Sequence, residues 1–326
     1  MTETTHVDAV RQALADAMAA DPSVLVLGED VGLNRGVFRA TQGLLARFGE
    51  TRVRDTPLAE AGITGVSVGL AAQGFRPVCE IQFMGFLYPA IDQLAIHASR
   101  LRNRTRGRLT CPMVLRAPYG GGIHAPEHHS ESMEALVAHI PGLRVVIPSS
   151  PSRAYCLLLA SIRDPDPVVF LEPKRLYRSA GEKLSKGCDS IVLDRCFVLR
   201  GGVDVTIVTW GAMTIEAQEA AIALDVQGIE AEIIDVATLS PLDMTTILNS
   251  VEKTGRCVIV HEAPYTGGFG AEIAARIAEF GLTSLLAPIR RVTGYDTVMP
   301  LYKLEHSYMP TAERIVSAVQ EVMAFS

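Results

Sequence analysis

Glu60 is the one ionisable side chain between Asp55 and Arg76 in the segment DTPLAEAGITGVSVGLAAQGF, residues 55–75. Thr56 is a good helix N-cap and Pro57 a good first helical residue, so the spacing predicts a helix over 58–73 that starts here. Glu60 then falls one place beyond the third helical position, where a capping-box glutamate sits, and its carboxylate is free for something else. Gly62, Gly65 and Gly69 form a bare stripe that lets another backbone approach closely. A lone carboxylate on such a small-residue helix is costly unless something hydrogen-bonds it. Two readings stay open: a group that meets a ligand atom, or a first-turn glutamate satisfied by the helix dipole.

A second concentration of chemistry is the loop APYGGGIHAPEHHSES, residues 117–132, which carries His124, His128 and His129 after an apolar run. Histidines on a loop at the carboxyl end of a strand stand where α/β folds bind ligands and move protons. Metal binding competes, because His124 and His128 are four apart, but Pro126 between them breaks the helix that would aim both at one ion. Solvated histidines on a mobile loop are the plainer alternative. RDPDP at 163–167 holds Asp164 and Asp166 among prolines, which fits a tight turn or a weak oxygen site for a hard cation. Two other features read as structural. The glycines of 266–270 open a helix, but Glu272 in its first turn has the wrong sign for a phosphate cradle. Alternate arginines from Arg100 to Arg108 follow a helix, where cations favour the C-terminal dipole.

These residues need a scaffold, and the chain spells one out. Short apolar runs at 24–27, 78–83, 113–117, 143–147 and 168–171 are bounded by Gly, Pro or acids, as buried strands of a parallel sheet are. Helical patterns at 7–20, 58–73 and 90–101 lie between them. A second cycle places strands at 206–209, 232–235, 258–260 and 290–293, with helices near 214–226, 244–253, 271–280 and 311–324. The expected fold is α/β with two domains, each a mainly parallel sheet flanked by helices. The polar stretch PKRLYRSAGEKLSKG marks the boundary. The domains are expected at 1–185 and 203–326, joined by a linker over 186–202.

A length of 326 residues exceeds what one core usually supports, and 48% hydrophobic against 20% charged residues is an ordinary globular balance. A formal net charge of −6 argues against a general nucleic-acid surface. Six cysteines without a CxxC pair read as reduced, buried thiols and hence an intracellular setting. An acid-bearing amphipathic N-terminus and the absence of any run of about 18 apolar residues point to the cytoplasm, with no membrane segment.

Read together, the segments resemble the β subunits of pyruvate and branched-chain 2-oxo acid dehydrogenases. The resemblance rests on LGEDVG with GVFRATQGL, RVRDTPLAEAGITG, RPVCEIQFMGFLYPAIDQ, the HHSES loop, HIPGLRVVIPSSP, DPVVFLEPKRLYR, SVEKTGR, HEAPYTGGFGAEIAARI and RVTGYDTVMP, in the family's order from about residue 27 to residue 300. It implies a thiamine-diphosphate pyrimidine-binding domain followed by a transketolase C-terminal-like domain. It also implies an α2β2 heterotetramer that decarboxylates a 2-oxo acid and passes the acyl group to the lipoyl group of an acyltransferase core. GED at 28–30 lacks the second glycine of a GDG motif, so magnesium and the diphosphate are expected on the α subunit.

The resemblance also assigns roles. Glu60 matches the glutamate that hydrogen-bonds the aminopyrimidine ring nitrogen and favours the imino form, whose exocyclic nitrogen can take the proton from the thiazolium carbon. Gln82 and Phe86 match positions lining the same ring. His129 matches the loop histidine that assists proton transfer or reductive acylation, with His128 as its neighbour. Ser161, Asp164 and Asp166 align with a turn that binds potassium in some relatives. EIQFMGF leans toward pyruvate, whereas FLEPKRLYR and HEAPYTGGFGAEI lean toward branched-chain acids. A non-catalytic scaffold retaining the fold for assembly is the alternative.

Overall fold

The computed structural model describes residues 3–179, 181–184, 188 and 192–325. Within the expected 186–202 linker, residues 186, 187 and 189–191 lie outside the described residues. The chain forms two compact units, one within 1–119 and 136–193, the other within 120–135 and 194–326.

In the first unit, α1 (His6–Ala20) is followed by β1 (Val24–Gly28), α2 (Leu44–Phe48), β2 (Val53–Asp55), α3 (Glu60–Ala72) and β3 (Arg76–Glu80). Then come α4 (Leu101–Arg104), β4 (Val114–Tyr119), α5 (Glu134–Ala138), whose first two residues belong to the second unit, β5 (Arg144–Val146), α6 (Pro151–Arg163) and β6 (Val168–Pro173). The strands of this unit lie in the order β5-β6-β4-β3-β1-β2, every pair parallel. Helix α1 starts where the Thr5 hydroxyl accepts the Asp8 N–H, and it buries Ala9, Val10, Ala13, Leu14, Ala17 and Met18 at helical spacing. That stripe packs on α6.

One charged cluster crosses this apolar interior. Arg116 of β4 grips Glu172 of β6 in a fork (2.6 and 2.9 Å) and Glu80 of β3 at 2.8 Å, while the Tyr177 hydroxyl donates to Glu172 at 2.5 Å. Burial acts against the Arg116 charge, but the two carboxylates outweigh it and hold the guanidinium protonated.

The single helix expected over 90–101 is replaced by 3-10 turns at Met84–Phe86 and Tyr88–Ala90, a π-helical segment Gln93–Ala98 and the short α4. Pro89 sits in the first turn of the second 3-10 segment, and the Ser99 N–H reaches back five residues to the Leu94 carbonyl, widening the coil. The cysteine expectation is also corrected at one pair. Cys156 and Cys188 form a disulfide with Cα atoms 4.9 Å apart, whereas Cys79, Cys111, Cys196 and Cys257 are free and buried. The partners stand 32 residues apart, and only the fold brings them together.

The second unit runs β7 (Phe197–Arg200), β8 (Val205–Thr209), α7 (Met213–Asp225), β9 (Ala231–Asp235), a short β10 (Thr238–Ser240), α8 (Met244–Thr254), β11 (Cys257–Val260), α9 (Gly270–Gly281), β12 (Arg290–Val292), α10 (Tyr302–Tyr308) and α11 (Ala312–Met323). Its sheet has the order β12-β11-β8-β9-β7, parallel except where β7 runs antiparallel to β9. Among the described residues no helix is long and apolar enough to cross a membrane.

Candidate functional site

The register of the first sheet brings Glu60 to a ligand-binding edge. Gly28 at the end of β1 aligns with Asp55 at the end of β2 and with Glu80 at the end of β3, so the chain leaves three adjacent strands at one carboxyl edge. Ligands in open parallel sheets bind at such an edge. From β2 the chain crosses it, with the Thr56 N–H on the Gly28 carbonyl at 3.0 Å, and reaches α3. Helix α3 starts at Glu60 rather than near Pro57, because the Thr56 hydroxyl turns onto the Pro57 carbonyl (3.1 Å) instead of capping. Ala59 takes the N-cap position and offers no side-chain bond, which leaves the positive end of the helix dipole to the half-buried Glu60. The bare glycine stripe is realised only at Gly65, where a Cβ would come within 3.1 Å of the Gln93 side chain. At Gly69 nothing lies within 4 Å.

Gln82 and Phe86 follow β3 at the same edge, and both are half-buried. The Phe86 ring meets Phe83 edge-on with centroids 5.6 Å apart, and Phe83 meets Phe38 at 5.5 Å, so an aromatic wall backs this corner. A further carboxyl stands near Glu60. Glu29, directly after β1, is raised above the ordinary carboxyl range by burial and then by the neighbouring charges of Asp30 and Glu60. An acid placed immediately after a strand-ending glycine is the signal that could have found it.

His129 belongs to the second unit, on the loop between β4 and α5. The loop turns on Gly120, Gly122 and His124, all left-handed, and a 3-10 turn Glu127–His129 presents His128 exposed and His129 half-buried. Buried carboxylates line its base. Glu262 accepts the Gly121 N–H at 2.8 Å, and Glu305 accepts those of Gly122 and His124 at 2.7 and 3.0 Å. At its exit the Trp210 indole N–H donates to Glu134 at 3.2 Å, and burial raises the Glu134 carboxyl to about 7. Trp210 stacks on His261, whose imidazole burial holds down to about 3. A Cβ at Gly268 or Gly270 would come within 2.5 or 2.7 Å of that ring, so these glycines serve close packing.

The turn with Ser161, Asp164 and Asp166 lies at the amino end of β6, on the opposite edge of the sheet from Glu60. Its side-chain oxygens are already engaged. Ser161 donates to the Leu157 carbonyl at 2.7 Å, Asp164 faces Arg144 at 3.2 Å, and Asp166 faces Arg102 at 2.7 Å. Arg76 donates to the Ile162 and Asp164 carbonyls at 2.8 and 3.2 Å. Three guanidinium groups thus supply positive charge at this turn. Among the described residues no three His, Cys, Asp or Glu side chains gather as a metal site.

With the geometry in hand, comparison with known proteins identifies the architecture. The transketolase pyrimidine-binding domain matches residues 3–180, and the transketolase C-terminal domain matches residues 194–315. The chain is 47% identical to the pyruvate dehydrogenase E1 component subunit beta of Bacillus subtilis over 325 residues, covering both chains completely. It is equally similar to that of Acholeplasma laidlawii, over 98% of this chain and 97% of the relative, and 45% identical to that of Staphylococcus aureus. A solved structure described as a split gene transketolase, inactive beta4 tetramer, superposes with a TM-score of 0.81 at 25% identity over 99% of each chain. The chain therefore belongs to the family of pyruvate dehydrogenase E1 component β subunits, built from the transketolase pyrimidine-binding and C-terminal domains.

Proposed function

We propose that this chain forms the pyrimidine side of a thiamine-diphosphate site that an α subunit completes, and that pyruvate is the 2-oxo acid decarboxylated there. The observation that carries the reading is the half-buried Glu60 at the uncapped start of α3, on the carboxyl edge of three parallel strands and beside the raised carboxyl of Glu29. Thiamine diphosphate, when bound, would supply a nucleophilic carbon for the 2-oxo carbon and an electron sink that lets the substrate's carboxylate leave as carbon dioxide. Glu60 would hold the protonated pyrimidine ring nitrogen through its carboxylate, with the helix dipole behind it keeping the charge in place. Gln82 and Phe86 orient the ring and exclude water. His129 holds a proton for acyl transfer to the lipoyl group of the acyltransferase, and His128 is its exposed neighbour. Magnesium falls to the α subunit. At the 161–166 turn a potassium ion would meet carbonyls that Arg76 already engages, and no step is assigned to it.

In this reading the division at 185 and 203 separates a cofactor domain from one that pairs subunits, and the assembly works in the cytoplasm. A scaffold without catalysis is the second reading, since the split gene transketolase with the same fold is described as an inactive beta4 tetramer. Coexpression with the cognate α subunit decides between them. The expected result is thiamine-diphosphate binding by the pair and a kcat/KM higher for pyruvate than for 2-oxoisovalerate. Absence of cofactor binding by the assembled pair would leave the scaffold, and a tenfold preference for the branched acid would overturn the substrate.

A further inference from the structure

The loop that carries His124, His128 and His129 holds its shape by an unusual device within the second unit. Gly120, Gly122 and His124 adopt φ of +86°, +81° and +59°, each left-handed, and the residues between them do not. Such alternation turns successive backbone N–H groups to one side and forms a concavity that binds anions. Here the anions belong to the protein. Glu262, two residues past β11, takes the Gly121 N–H. Glu305, on α10, bridges the N–H groups of Gly122 and His124 and stands 3.7 Å from the His124 Nε2. Both are almost fully buried, at 3% and 2% exposure. Glycine is required at Gly120, where φ is +86° and a Cβ would lie 2.6 Å from Glu262 Oε1. The Gly120 N–H on the Glu131 carbonyl at 2.9 Å closes the base of the loop.

We propose that Glu262 and Glu305 are positioning residues, which set the place of His129 through the loop backbone and so govern acyl transfer rather than decarboxylation. This rests on the reading of His129 given above. Carboxylates suit the role because each oxygen accepts, and charge-assisted bonds to N–H groups are strong and short. In Glu305→Gln one oxygen becomes an amide nitrogen that can only donate. It would face a backbone N–H, and the bridge to Gly122 and His124 would open.

The test uses the assembled enzyme and two assays: acylation of a lipoyl domain, and decarboxylation with an artificial oxidant replacing the lipoyl group. Glu305→Gln and Glu262→Leu, the second removing the acceptor of the Gly121 N–H, are expected to lower kcat for lipoyl acylation tenfold or more. That loss follows because small misplacements at a reacting group cost up to about a hundredfold. Decarboxylation stays within about twofold and cofactor affinity is unchanged, because Glu60, Gln82 and Phe86 belong to the other unit. Glu305→Asp, which keeps the charge, should recover part of the loss. Equal loss in both assays, or no loss in either, overturns the proposal. His129→Ala separates the two levels: if it leaves acylation intact, the reading of His129 fails; if it abolishes acylation while Glu305→Gln does not, the positioning role alone fails. Should the variants not assemble, hydrogen exchange on the unmodified enzyme decides. Slow exchange at the amides of 121, 122 and 124 is expected, and fast exchange there contradicts the anchoring.

Discussion

Glu60 and Glu29 put two carboxyl groups at the ends of neighbouring elements, and Glu29 is raised first by burial, then by the charges of Asp30 and Glu60. Like charges held together in a fold are costly unless a ligand or proton separates their roles, which is what a cofactor nitrogen at Glu60 would do. Glu134 makes a similar point without a ligand. Burial is the main reason its carboxyl rises from 4.5 to about 7, with the Glu262 charge adding to it. A carboxyl raised by folding stabilises the native state fully below about pH 4.5, and that contribution is lost as pH climbs through about 7. Glu134→Gln should therefore become more stable than the parent on the alkaline side, by up to about 3 kcal/mol at pH 8.5, with the difference vanishing near pH 4. Thermal melts across that range check it, and parallel pH profiles would refute the assignment. Glu60 was visible in the sequence because nothing else charged surrounds it. Glu29 was not, since its importance comes from strand register, which places it against a residue 31 positions away.

Elements repeat the lesson in their boundaries. Strands β1, β4 and β6 and helices α1 and α7 fall where apolar runs and helical spacing put them, because burial leaves a plain composition signature, whereas β3 ends at Glu80 and not at Phe83. The start of α3 and the broken coil after β3 were not legible, since both depend on where a hydroxyl or an N–H turns in three dimensions. The antiparallel β7 escaped for another reason: its burial pattern is half-exposed and it follows a polar stretch. Pairing across strands is equally invisible in sequence. Arg116, Glu80 and Glu172 are 36 and 56 residues apart, yet they share one buried network. Arg116→Met would leave two carboxylates buried without their cation, and the expected loss is about 3–5 kcal/mol in urea unfolding. A loss below about 1 kcal/mol would show that the network is not what ties β3, β4 and β6 together.

At the scale of the whole molecule, the two-domain α/β plan was readable from alternating strand and helix patterns, and the family from many short motifs in order. Glu60 and the loop histidines stand out by residue type and spacing, but the roles proposed for them come only through the resemblance, because composition cannot tell which carboxylate meets a cofactor. The account divides labour between chains. In the proposed division this subunit would offer a carboxylate, an aromatic wall and a histidine loop, and the partner would bring the diphosphate and magnesium motif. Alone it should neither bind thiamine diphosphate with measurable affinity by calorimetry nor release carbon dioxide from pyruvate, and both should appear on adding the α subunit. Turnover by the isolated chain would contradict that division.

The most direct test follows exchange of the thiazolium C2 proton into deuterated water in the reconstituted enzyme, comparing the parent with Glu60→Gln. The account predicts that the variant still assembles and binds the cofactor but exchanges this proton at least about a hundredfold more slowly, as expected when proton transfer loses its positioned partner. Exchange at the parent rate, with cofactor bound, would contradict it.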